Sequence, residues 1–96
     1  MNVTRVTTER VRPGPHGLVV ATNIEGEGFI QRAIPIVARF GDVTARRVVP
    51  LGIAEGIRAV FSEMPPAGAT LFVGYANERL VETRFKFVPP GKGPIA

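Results

Sequence analysis

Residues Ala69–Val88, ATLFVGYANERLVETRFKFV, decide how the rest of the chain is read. In their second half Val81, Thr83, Phe85 and Phe87 alternate with Glu82, Arg84 and Lys86. Successive side chains of a strand point to opposite faces, so a period of two specifies a strand with one face in a core. The spacing assigns Val81, Phe85 and Phe87 to that core and leaves Glu82, Arg84 and Lys86 as a mixed-charge outer face. The first half, Leu71, Phe72, Val73, Gly74 and Tyr75, is apolar nearly throughout, as in a strand covered on more than one side. A tight turn at Asn77-Glu78 joins the two into a hairpin. If the Phe85 ring is buried, Phe85→Ala costs about 3–5 kcal/mol, whereas Lys86→Ala changes little.

Upstream, the segment Val3–Arg12 is rich in threonine, valine and arginine. Its apolar positions Val3, Val6 and Val11 do not keep one parity, so a strand there must bend or bulge, as edge strands do. Pro13-Gly14-Pro15 stops it. A second strand is expected over Leu18–Ile24, with Leu18, Val20, Thr22 and Ile24 on one face, followed by a loop Glu25–Gly28. Phe29 and Ile30 either open a further strand or pack on that loop. Ala33–Phe40 reads as a strand with Ile34, Ile36, Ala38 and Phe40 sharing a face, and Pro35 belongs at an edge, a bulge or a solvent-facing position. After a turn at Gly41-Asp42, Val43–Val49 returns as its hairpin partner, and Gly52–Gly56 is at most a helical turn. Ile57, Ala59 and Phe61 define the next strand, which Met64-Pro65-Pro66-Ala67-Gly68 turns into the hairpin.

Together these give about seven short strands and no segment with a sustained helical period. The expected fold is all-β: one antiparallel β-sandwich over residues 1–88, with a small β-barrel as the alternative, and an extended Pro/Gly-rich tail over 89–96. A chain of 96 residues suits one core, and nine prolines with eleven glycines favour strands and turns. The run Ile57–Val88 (strand, Pro-Pro-Ala-Gly turn, apolar strand, short turn, alternating strand) resembles the last three strands of immunoglobulin-like and fibronectin-III-like modules. The cysteine pair and core tryptophan of antibody domains are missing, and Tyr75 falls too late in its strand for that fold's corner tyrosine. The resemblance implies a fold and carries no function with it.

The residue types of chemistry are thinly supplied. With no cysteine there is no disulfide framework and no thiolate metal site. His16 stands in a Pro-Gly-Pro-His-Gly turn, and Ser62 lacks the strand-to-helix elbow of a nucleophile. Glu25 and Glu27, with Asn23 beside them, offer too few oxygens for a calcium loop. Gly26-x-Gly28 lacks the third glycine and the helix of a dinucleotide fingerprint. No catalytic, cofactor or metal residues are assigned, and no enzyme is expected.

The arginines remain. Net charge is +4, and the 12 basic residues are all arginine except Lys86 and Lys92. Arg46 and Arg47 are adjacent, so a strand holding them has at least one wet face and belongs at or near an edge. Candidate interaction residues are Arg46, Arg47, Arg79, Arg84 and Lys86. The reading this supports is a non-catalytic structural or protein-interaction module whose partners are other subunits, in a homo-oligomer or a larger assembly such as a virion, surface layer or filament. Val3–Arg12 or the tail 89–96 would add to a neighbour's sheet or lie in its groove. The alternative is a weak nucleic-acid or polyanion binder using Arg46, Arg47, Arg84 and Lys86, a less favoured reading because Phe85 and Phe87 point away from Arg84 and Lys86. No apolar run approaches a membrane span, and MNVTRVTTERVR lacks the apolar core of a secretory signal. That leaves the setting open between the cytoplasm, release within an assembly such as a virion, and a domain excised from a longer chain.

Overall fold

Alternating side chains become a fold when two sheets share the buried set. The structure, a computed structural model, describes residues 1–11, 17, 19–29, 34–52 and 55–90. The strands are β1 (Asn2–Arg10), β2 (Val20–Glu27), β3 (Ile36–Phe40), β4 (Val43–Thr44), β5 (Arg47–Pro50), β6 (Gly56–Phe61), β7 (Thr70–Tyr75) and β8 (Val81–Lys86). They form two antiparallel four-stranded sheets, β1-β2-β6-β5 and β4-β3-β7-β8, packed as a β-sandwich. Among the described residues there is no helix, and none is long and apolar enough to cross a membrane. Leu18, Ile30 and Ala33, the Pro-Gly-Pro run and the tail beyond Pro90 lie outside the described residues.

The core lies where the inward parities meet. Val20 and Ile24 of β2 and Ile57, Ala59 and Phe61 of β6 face Ala38 and Phe40 of β3, Leu71 and Val73 of β7, and Phe87. Rings tie the layers together: Phe40 stands 5.7 Å from Phe61 across the sandwich and 5.0 Å, edge to face, from Phe87. Phe29 packs into this core, and its neighbour Ile30 lies outside the described residues. Thr22 is fully buried on the same inward row, and its hydroxyl has no hydrogen-bond partner among the described residues. A buried hydroxyl without a partner is destabilising, so Thr22→Val is expected to raise stability by about 1 kcal/mol. A higher urea midpoint at unchanged m-value would show it.

Two bulges shape the strands that bound one edge. Val3 pairs with Gly26 but Arg5 with Glu25, so Thr4 is the extra residue, and its hydroxyl donates to the Glu25 carbonyl at 3.3 Å. This is the irregularity that Val3 and Val6 demanded, and it lets β1 turn both valines toward the core. Between β7 and β8, Thr70 pairs with Lys86 but Phe72 with Glu82, so β8 carries two extra residues. Thr83 fills the interrupted ladder, its hydroxyl donating to the Leu71 carbonyl at 2.9 Å and accepting from the Phe85 N–H at 3.2 Å. Because the insertion is even, the alternation of β8 survives it.

Four expectations are corrected. Among the described residues the strands number eight against the expected about seven, because Val43–Val49 is not one hairpin partner. β4 pairs with β3, the chain then crosses to the other sheet, and β5 pairs with β6. The Ala45 N–H donates to the Ala38 carbonyl at 2.8 Å, and the next amide, Arg46, donates to Val60 at 2.9 Å. β2 runs on through Glu25–Glu27, held by pairing with β1, so no loop starts at Glu25. The β7–β8 connection is wider than a two-residue turn: the Glu78 N–H does bond to Tyr75, but Arg79 and Leu80 lie outside the ladder, and Leu80 folds over Gly74. Val81 keeps its inward parity yet is 42% exposed, because it sits where the sandwich edge is open. Pro35 falls just before β3 and is exposed, its carbonyl accepting from Ala76.

Candidate functional site

Each sandwich edge is a seam between two bordering strands. On one side the seam is formed where β3 and β4 diverge from β5, and Ile34, Ile36, Val48 and Pro50 line an open groove with Arg46 at its rim. On the other, β1 and β8 run side by side in the same direction without belonging to one sheet. Met1–Thr4 lie along Val81–Phe85, and Val6 and Thr8 along Phe85–Pro90, so two pockets meet at Phe85 and make one long groove. Their volumes are about 320 and 330 Å³, at the lower end of roughly 300–1,000 Å³ for small-molecule sites. That size suits side chains of a docking segment.

The predicted cations divide between these places. Arg46 lies at the crossover and Arg47 at the head of β5, both exposed on the β4/β5 edge. Arg79 is exposed in the β7–β8 connection. Arg84 and Lys86 are on β8, at the opposite edge of its sheet from β4. The Arg84 guanidinium lies 5.4 Å from the Phe85 ring centroid, and the Lys86 Nζ donates to Thr70 Oγ1 at 2.6 Å. The cations therefore fall into separate places, Arg46 with Arg47 on one edge, Arg84 with Lys86 on the other and Arg79 in the β7–β8 connection, and the five form no continuous strip along which a phosphate backbone would run.

What the charges did not reveal is the apolar part of the β1/β8 seam. Met64, Val81 and Val88 are the large apolar side chains most exposed among the described residues, and the last two, at 42% and 70%, border this groove. Phe85, half-buried, forms the floor they share. The signal for Val88 was in the sequence: it follows the last inward ring and precedes Pro89-Pro90, which cannot extend a ladder. With its ring only half-covered, Phe85→Ala is now expected to cost about 1–2 kcal/mol, below the 3–5 of a buried ring, and Lys86→Ala less than about 0.5. Equilibrium urea unfolding of both variants checks the pair.

The outer faces of the sheets behave differently. On the β1-β2-β6-β5 face Arg58 pairs with Glu9 and bonds Asn23 Oδ1 at 3.0 Å, reaching over β2 at the level of Ala21, and Arg5 approaches Glu25 at 3.8 Å. Asn23 and Glu25 thus already serve partners. Glu55, across from them, accepts from the Gly28 and Phe29 amides at 2.8 and 3.2 Å and anchors the end of β2. Among the described residues no three acidic or histidine side chains gather as a metal would require, and His16 lies outside those residues. On the β4-β3-β7-β8 face the Arg39 guanidinium stacks 4.1 Å over Phe72, which the register places opposite Glu82. That ring occupies the outward parity of β7 and explains why the strand reads as apolar on both faces. No family model, curated protein or solved structure matches the chain.

Proposed function

We propose that this chain is a non-catalytic, immunoglobulin-like β-sandwich module that packs against other protein subunits, in a homo-oligomer or a repeated assembly of the virion, surface-layer or filament kind. The strand order supports the fold part of this reading. Two sheets ordered β1-β2-β6-β5 and β4-β3-β7-β8 match the ABED and CFG sheets of that architecture, with β4 as one added edge strand. The observation that carries the functional part is the β1/β8 seam. Val81 and Val88 stand exposed on one groove, between two strands that each end a sheet. Large apolar side chains left exposed beside polar groups along a sheet edge are a mark of protein contacts.

Sedimentation velocity over a wide concentration range, with Val81→Asp and Val88→Asp as probes, tests it. Association that weakens in both variants is expected. A strict monomer at every concentration, giving no crosslinked protein partner in its source cells, would falsify the reading.

A further inference from the structure

We infer that the free edge of β8 binds an extended protein segment in which apolar and acidic side chains alternate. The apolar set enters the groove over Val81 and Phe85, and the acidic set meets Arg84 and Lys86. This rests on the interaction reading above and names the chemistry of the partner.

The backbone comes first. β8 is the last strand of its sheet, so one row of its N–H and C=O groups faces away from β7. A segment laid beside it meets those groups as an added strand. Such a segment shows alternate side chains to opposite faces. One set falls between β8 and β1, where Val81, Phe85 and Val6 give apolar contacts among the polar Thr4, Thr8 and Thr83. The other falls on the outer row that holds Glu82, Arg84 and Lys86. Opposite charges directly across an antiparallel pair stabilise it and like charges oppose it.

The order of charge on β8, one anion followed by two cations, also gives direction. A matched segment offers two carboxylates to Arg84 and Lys86 and a neutral or basic group to Glu82. The Lys86 ammonium exchanges a neutral hydroxyl, Thr70, for a charge-assisted bond. The bulges at Thr4 and at Thr83–Phe85 and the row of charges work against indiscriminate strand pairing, so the edge is selective. A nucleic acid fits less well: Glu82 stands on the same row as Arg84 and Lys86 and also lines the groove, where its carboxylate repels a phosphate chain.

The test is fluorescence anisotropy with the full chain and a labelled synthetic peptide in which valine alternates with two glutamates and, at the position facing Glu82, one glutamine, at low and moderate salt. The same peptide with lysine for glutamate and an oligothymidylate of equal charge serve as controls. Saturable binding of the glutamate peptide is expected, weakened about tenfold or more by Arg84→Glu with Lys86→Glu and unchanged by Arg47→Glu on the far edge. The doubly reversed variant should bind the lysine peptide instead, which shows that it is folded. Absence of saturable binding at low salt overturns the inference, as does equal loss with Arg47→Glu or equally tight oligothymidylate. Self-association that the glutamate peptide does not displace also overturns it, in favour of a second copy on this edge. The sedimentation experiment uses no peptide, so association that persists without peptide binding removes the acidic partner alone, and loss of both removes the interaction reading as well.

Discussion

Phe40→Ala is expected to lower the stability of the domain by roughly 3–5 kcal/mol. The ring is fully buried and touches Phe61 of the opposite sheet and Phe87 of its own, so it is the point at which the layers are joined. Truncation removes the transfer energy of the ring and leaves a cavity that two hydrogen-bonded sheets cannot close by collapsing. It also dissolves one tilted and one edge-to-face ring contact, each worth about 0.5–1.5 kcal/mol beyond burial. A domain of this size has a total stability of about 5–15 kcal/mol, so the variant should sit near the edge of folding. In urea the midpoint should fall with the m-value unchanged. A loss below about 1 kcal/mol would mean that the ring cluster does not hold the sheets together.

The second large effect is expected from Gly56→Ala at the start of β6. Gly56 has φ 157°, and a Cβ there would lie 2.1 Å from the Ile24 carbonyl oxygen and 2.9 Å from Glu25 Cα. The conformation costs about 1–3 kcal/mol for any other residue, and the collision is with backbone, which cannot rotate away. Relief requires β2 and β6 to separate at Glu25, where Gly56 pairs with it. The combined loss should match or exceed that of Phe40→Ala. Gly52→Ala is the control, since a Cβ at Gly52 meets nothing within 4 Å, and it should stay within about 0.5 kcal/mol of the parent. Thermal unfolding of the two alanine variants side by side separates backbone collision from a general intolerance of glycine loss.

Much of the fold was legible because period-two alternation is a local property. Phe85 and Phe87 against Arg84 and Lys86 set the faces of β8, and the mismatched parity of Val3 and Val6 announced the bulge that falls at Thr4. The crossing between β4 and β5 left no such mark. Val43–Val49 keeps the composition of a single strand while its hydrogen-bond partner changes from β3 to β6, and partner identity is a long-range fact. Val81 shows the same limit: parity says which way a side chain points, not whether anything covers it. The candidate site followed suit. Charge singled out Arg84 and Lys86 together with Arg46 and Arg47, but which of them share a surface depends on β8 lying beside β1 rather than β5. The groove residues Val81, Phe85 and Val88 read as ordinary strand positions, because only the placement of β1 beside β8 makes them a shared surface.

The crossover at Ala45 and Arg46 makes neighbouring amides report on different layers. One proton is held by Ala38 in the β3 sheet and the next by Val60 in the β6 sheet. If one sheet shears across the other, this link must give way before any strand inside a sheet is released. Hydrogen exchange at these two positions is therefore an internal gauge of how the sandwich opens. Exchange of the pair ahead of Ala38 and Val73 would mean that the layers slip as slabs, and exchange in step with them would mean that the sandwich melts as one body.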